Sequence, residues 1–392
     1  MALLQIDDTR PAPARGALLA LGFRPFYLLA AALAAVSVPA WLASYLGLAA
    51  LPRLTMFWHM HEMVFGFAIA VVIGFLYTAA RNWTGLWTPR GTALGALALL
   101  WLAGRVAMLA APPVLAAVID LAFLPLAAWP LHRVIARADS RRNRFLVGLL
   151  ALLALCNLAY HLSILGVLAA SPLHGVHAAI ILIVAIESAI GGRVIPSFTA
   201  SAVPGVKPVQ SVPLDRAALA LTCVAGLAWA LGAPGLLAAP LALAAACAQL
   251  WRLAGWKPWC TLGRPLLWIL HVSYAWIPVG FALLALAQLG LVPISAAVHV
   301  LGVGALGGLI VGMITRTALG HTGRPLAAGA AETTMYVLIQ LGVLARLCAA
   351  LAPALHRPLL VAAAVCWSVC FLLYLAVYGP RLCAARIDGR EG

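Results

Sequence analysis

The feature that most limits what this chain can fold into is a run of apolar stretches, each near the ~20 residues that a helix needs to cross the hydrocarbon of a bilayer. They cover roughly residues 26–47, 58–80, 93–111, 114–132, 145–168, 174–195, 214–233, 235–254, 266–289, 293–315, 333–352 and 358–378. Backbone amides in lipid must find partners within their own segment, so stretches of this length become helices. Hydrophobic residues make up 65% of the chain and charged ones 9%, with a mean hydropathy of +1.05. Such values exclude an ordinary soluble domain. The expected fold is an all-α polytopic membrane protein of about twelve transmembrane helices, a single transmembrane domain over 1–392. The connections are short, so any chemistry sits inside the bundle or at its two faces.

The formal charge of +15 does not point to nucleic acid, because the basic residues are spread over connections rather than gathered in a patch. They encode orientation. With the N-terminus inside, 21 of the 25 Lys and Arg fall in inner segments and two, Arg53 and Arg357, outside, the asymmetry that the positive-inside rule describes. Both termini are therefore expected to be cytoplasmic. The first apolar stretch is too long for a signal-peptide core and lacks a nearby small-x-small cleavage site, so it reads as a retained helix. The eight cysteines form no C-x-x-C or C-x-x-C-H, which leaves covalent haem attachment and zinc ribbons unsupported.

Arg24, Arg144 and Arg264 each open a helix and are 120 residues apart. The second helix of each unit carries histidine near its outer end (His59 and His61; His174 and His177; His299) and arginine near its inner end (Arg81, Arg193, Arg316). This predicts a pseudo-threefold repeat of four helices, over 22–141, 142–261 and 262–381.

Trp58-His59-Met60-His61-Glu62 stands at the mouth of an apolar helix. Polar groups at membrane depth are costly and mark function, and imidazole and thioether suit copper and haem iron. An interfacial helix start anchored by Trp58 is the alternative. His61, His161, His177 and His299 lie sixteen to twenty residues from the nearest inner arginine, about 24–30 Å at the helical rise. His59 and His174 sit slightly further out. Six histidines of helices 2, 5, 6 and 10 thus share an outer layer and are the candidate metal ligands. His174 and His177 share a helix face, whereas His59 and His61, two apart, face different ways. Gly304, Gly308 and Gly312 form a small-residue strip that admits a neighbouring helix or a flat macrocycle.

A second layer lies nearer the inner face: Glu187, His271 and Tyr274, with Arg193, Thr199 and the Gly320-His321-Thr322-Gly323-Arg324 loop. It reads as a proton path or as a structural hydrogen-bond network. Arg105 and Asp120 are each about seven residues from the Pro112-Pro113 turn, so they meet at one depth as a structural pair. Arg346 has no acidic partner in its segment and is placed to meet a haem propionate; Arg316 is counted with it as a cofactor-binding candidate.

Phe23-Arg24-Pro25-Phe26, Trp58-His59-Met60-His61-Glu62, Glu187 with Gly191 to Thr199, His271 to Trp276, and Met313 to Arg324 together resemble the NnrS family of bacterial membrane proteins. The resemblance implies non-covalent (b-type) haem, copper and a link to nitric oxide stress, in the bacterial cytoplasmic (inner) membrane. It carries over His59, His61, Glu62, Glu187, His271, His299 and His321 as functional positions without assigning each to a metal. The twelve helices, the threefold plan and the outer histidine layer are similar to the catalytic subunit of haem–copper oxidases. An oxidoreductase that reduces nitric oxide is therefore expected, with Glu62, Glu187, His271 and Tyr274 as its proton-handling residues, His321, Arg324 and Arg193 as further site residues, and electrons from a small cytochrome or a quinol. The alternative is a non-enzymatic haem, metal or nitric oxide binder, or a transporter of metal or haem.

Overall fold

In the computed structural model, which describes residues 17–390, twelve helices are long and apolar enough to span a membrane. We number them α1 Phe23–Tyr45, α2 Met56–Thr84, α3 Thr92–Ala110, α4 Pro113–Arg137, α5 Arg141–Ile164, α6 Pro172–Ala202, α7 Val212–Ala230, α8 Gly235–Gly255, α9 Pro265–Gln288, α10 Ile294–His321, α11 Ala330–Leu351 and α12 Pro353–Cys383. Proline begins or nearly begins several of them, at Pro113, Pro172, Pro213 and Pro265. There its missing N–H is one that a helix start leaves unpaired anyway. Helix α2 stops at Gly85, whose φ of 70° is a conformation glycine adopts without the steric cost of a Cβ.

Consecutive helices pack as antiparallel neighbours, and α1 packs against α12. The bundle thereby closes on itself. Ala17 N–H donates to the Cys383 carbonyl at 3.1 Å, so the two described chain ends lie on one face of the bundle, the face that carries most of the arginines. Arg10 and Arg15 of the N-terminal tail lie outside the described residues. The innermost spans are α2, α10, α6 and α9, with 83%, 72%, 61% and 61% of their central windows buried. Three of these are the second helices of the four-helix units expected from the sequence.

Several boundaries differ from the sequence reading. Helix α6 runs to Ala202, so Arg193 is an exposed position of a helix and not a loop marker. His321 is the last residue of α10 rather than part of a loop. Both helices continue past the apolar stretch because a helix projecting from lipid keeps its own hydrogen bonds. The Gly304, Gly308, Gly312 strip has no room for a macrocycle. A Cβ at Gly304 would stand 2.6 Å from Trp276, one at Gly308 2.3 Å from Ser273 and one at Gly312 2.8 Å from Leu270, so the strip is filled by α9.

Two stretches depart from α-helical geometry. Glu62–Ala68 in α2 and Val300–Gly307 in α10 are π-helical, and each begins directly after an outer-layer histidine, His61 and His299. Such wide turns occur mostly as short bulges at functional sites.

Candidate functional site

The histidine pair of α2 divides between two sites. His61 points toward α4 and α5, and is fully buried. Its Nδ1 lies 3.2 Å from Glu62 Oε1. Its Nε2 lies 3.1 Å from Asp120 Oδ2 and 3.0 Å from Asn157 Oδ1. His161 Nε2 meets the same Asp120 oxygen at 2.9 Å, and Asn157 Nδ2 donates to it at 2.8 Å. One ligand atom each from His61, Asp120 and His161 lies within 4.8 Å of the others, all three residues buried, a spacing that can hold a metal ion. Arg105 completes the cluster: its Nη1 donates to Glu62 Oε2 at 3.0 Å and its Nη2 to Asp120 Oδ1. Two carboxylates against one guanidinium leave one negative charge in a low-dielectric interior. A bound cation or a proton neutralises it.

The expected Arg105–Asp120 pair is therefore present, but it is part of this cluster. Sequence reasoning missed Asp120 as its centre, and missed Asn157 altogether. The available signal was spacing: Asn157 is four residues before His161, hence on the same face of α5. The glycine of the π segment makes the approach possible, since a Cβ at Gly66 would stand 2.6 Å from Arg105 Nη1 and 2.8 Å from Glu62 Oε2. Trp101 Nε1 donates to the Gly66 carbonyl at 3.1 Å and secures α3 against α2.

His59 turns the other way, toward α1, α10 and α11. Its ring stacks on Trp41 with centroids 4.1 Å apart, and its Nδ1 is buried without a hydrogen-bond partner among the described residues. His299 Nδ1 is engaged by the Ser295 carbonyl at 2.8 Å, which leaves Nε2 as the available nitrogen. The Arg346 guanidinium is close enough to interact electrostatically with both imidazoles, and its Nη1 is likewise buried without a partner. Buried polar atoms are nearly always paired in folded proteins. Two orphans within electrostatic reach of each other mark a region where the described residues leave polar atoms unsatisfied.

The other two histidines of the outer layer join neither cluster. His177 stacks on Trp229 of α7 with centroids 4.2 Å apart. His174 is exposed and its Nδ1 meets the Ser171 carbonyl at 3.1 Å. Depth brought the six together in the sequence, whereas the directions in which they face separate them.

The inner layer is not one network. Glu187 makes no hydrogen bond among the described residues, and its Oε2 is buried. His271 Nδ1 meets the Leu267 carbonyl at 3.1 Å, and its Nε2 meets Thr199 Oγ1 at 3.3 Å. The Tyr274 hydroxyl donates to Gln249 Oε1 at 2.5 Å and accepts from Arg252 Nη1 at 2.9 Å. Arg252 also holds Ser188 and Asp215, a set absent from the sequence reading. No hydrogen bond joins Glu187 to His271 or Tyr274. Arg316 lies over the Phe198 ring at 3.8 Å and Arg193 over the Phe145 ring at 5.6 Å. His321 packs against Phe23 with centroids 5.6 Å apart, its carbonyl accepts from Arg386 Nη1, and Arg324 Nη1 is buried without a partner among the described residues.

No curated protein sequence matches the chain. A family model described as NnrS protein matches residues 17–386, nearly the whole chain. The chain belongs to the NnrS family.

Proposed function

We propose that this protein holds haem and copper in the outer half of the bacterial cytoplasmic membrane and protects against nitric oxide by reducing it there. The observation that carries this reading is the buried His61, Asp120, His161 triad, with the unpartnered His59 and Arg346 on the opposite face of α2. The donors fit both groups. Imidazole nitrogens suit copper, and the unbalanced negative charge of Arg105, Glu62 and Asp120 favours a cation beside them. His59 and His299, close enough to interact electrostatically, suit haem iron, and the free Arg346 N–H suits an anionic edge such as a propionate.

Bound haem and copper would supply electron transfer and affinity for nitric oxide. The residues of the chain supply the rest. Asp120 accepts from His161, and Asn157 donates to that carboxylate, so both rings are oriented before any ligand arrives. The conversion 2 NO + 2 e− + 2 H+ → N2O + H2O needs protons, and Glu62 is the acid nearest the triad, hydrogen-bonded to His61 and Arg105. Nitric oxide is small, neutral and soluble in lipid, so a site closed by short loops suits it. Electrons would come from a separate carrier, a small cytochrome or a quinol.

The test is metal analysis and absorption spectroscopy of the purified protein, followed by variants. His61→Ala and His161→Ala should lower copper per folded molecule, and His299→Ala should remove or alter the haem spectrum. His177→Ala should do neither. A protein free of both metals, or one in which His61→Ala, His161→Ala and His299→Ala all keep normal content, would overturn the reading. A second reading, metal holding without turnover, has one observation in its favour: Glu62, the acid nearest the triad, is paired with Arg105. Loaded protein that binds but does not consume nitric oxide would select it.

A further inference from the structure

The inner halves of the three central helices do not pack together. Helix α6 touches α2 and α10 through Met56–His61, Glu62–Ala68 and Val300–Gly307, while Ile69–Thr84 and Gly308–His321 make little or no contact with it. Between them lies a cleft of about 100 Å3, lined almost wholly by aliphatic side chains of α1, α2, α6, α9 and α10. Its wall includes Tyr27, Val72, Phe75, Ile190 and Met313, and Glu187 is the only charged residue in it. Toward the arginine-rich ends of the helices, Arg316 of α10 stacked over Phe198 of α6 spans the gap.

Glu187 is the anomaly. Its Oε2 is sealed without a partner, and the part of the side chain that stays accessible faces the cleft. A carboxyl group taken from water without a hydrogen bond is costly, and no hydrogen bond among the described residues offsets that cost. Water alone is a poor filler: a buried water needs two to four polar partners, and beside Glu187 the only polar side chain in this wall is Tyr27. An apolar cavity of about 150 Å3 admits a benzene ring, so a cleft about two-thirds that size that is open on one side admits at most one ring. The ligand must also present a single hydrogen-bond donor to Glu187. It should be neutral, because a hydrocarbon wall disfavours any ion, and Arg193 of α6 and Arg316 of α10, close in sequence to the wall residues Val194 and Met313, repel a cation.

We infer that the cleft between α2, α6 and α10 is a binding site for one hydroxylated aromatic ring, its hydroxyl donating to Glu187. This is the head-group chemistry of a membrane quinol, and only that identification rests on the reading of the protein as a reductase in need of electrons. Binding of the ring is independent of metal content, so failure of one reading leaves the other standing.

The experiment is fluorine NMR on the full chain in lipid nanodiscs, with 4-fluorophenol and 4-fluorotoluene as probes. The phenol should bind at least tenfold more tightly than the toluene. Glu187→Leu should abolish that preference, and Glu187→Gln, which keeps an acceptor, should retain most of it. Met313→Trp, which fills the cleft, should remove binding of both probes. Each variant is checked for folding by circular dichroism and gel filtration. Hydroquinones with and without a decyl tail distinguish a membrane source from a soluble one, the tailed form binding more tightly if the ring arrives from lipid. Equal affinity for the two fluorinated probes, a preference that survives Glu187→Leu, or binding that survives Met313→Trp would overturn the assignment.

Discussion

Arg105 is the most consequential single side chain in the outer half of the bundle. It donates to two carboxylates, Glu62 and Asp120, that are 0% and 3% exposed. Arg105→Leu leaves both acids without their cation, and breaking a buried pair from one side costs about 3–5 kcal/mol. Asp120→Leu strands Arg105 less completely, because Glu62 still accepts from it, but removes the acceptor shared by His61, His161 and Asn157. In the double variant Glu62 retains His61 at 3.2 Å, and the losses should fall short of the sum by about 2 kcal/mol, within the range for residues of one network. Neutral hydrogen bonds between membrane helices average only ~0.6 kcal/mol. Gln249→Leu, which removes neutral bonds to Ser188, Thr222 and Tyr274, therefore sets the scale, and Arg105→Leu should exceed it severalfold. Reversible unfolding in mixed micelles measures all four variants. Additive losses, or an Arg105→Leu no worse than Gln249→Leu, would refute the reasoning.

Gly66→Ala should destabilise by about 1–3 kcal/mol through overpacking, because its Cβ would meet Arg105, Glu62 and Leu33 within 2.8 Å. Gly148→Ala, on an exposed helical position with nothing within 4 Å, should instead gain about 0.5–1 kcal/mol; micelle unfolding reads both, and equal effects would contradict the packing described. The hydrogen bond from Arg386 holds the Asp388 carboxyl below the usual carboxylate range. A group so depressed stabilises above its ordinary value near ~4 and loses that contribution as pH falls, so the Ile387 amide, bonded to the Thr322 carbonyl at 3.2 Å, should lose protection, measured against the intrinsic exchange rate, in acid. Unchanged protection between neutral pH and about pH 3, or in Asp388→Asn at neutral pH, would count against it. Reporter fusions should place both termini in the cytoplasm and the connections near Arg53, Pro172 and Pro293 outside; a reporter showing the reverse at either terminus would reject the charge-based orientation.

The number of helices was legible because lipid imposes one rule on every span: about twenty apolar residues with all backbone groups satisfied inside the helix. The Arg105–Asp120 pair was legible for a related reason. Two residues equidistant from a tight turn on antiparallel helices must meet, whatever else the bundle does. Helix ends were less so, because α6 and α10 continue beyond the hydrocarbon with polar residues, and hydropathy falls there while helical hydrogen bonding does not. The Gln249, Arg252, Ser188, Tyr274 network escaped notice for a different reason. Its members lie on α6, α8 and α9, and no spacing within one segment announces a contact across three.

Depth along a helix adds up from the sequence at 1.5 Å per residue, but the direction a side chain faces depends on every turn in between. A π bulge admits one extra residue, and everything beyond it is rotated by about 100°, one residue's share of a 3.6-residue turn. Helices α2 and α10 each contain such a segment between their histidines and their inner ends. His59 and His61 precede the bulge, which is why their two-residue offset correctly sends them to opposite faces. Gly66 lies inside it and Val72 and Phe75 beyond it, so the faces they present do not follow from extending that count. The wide turn in α2 brings the Gly66 backbone against Arg105 and Glu62. Beyond the wide turns the inner halves of α2 and α10 diverge from α6. Two local departures from regular helix thus accompany both the tight ionic cluster near one face of the membrane and the open apolar cleft around Glu187 nearer the other.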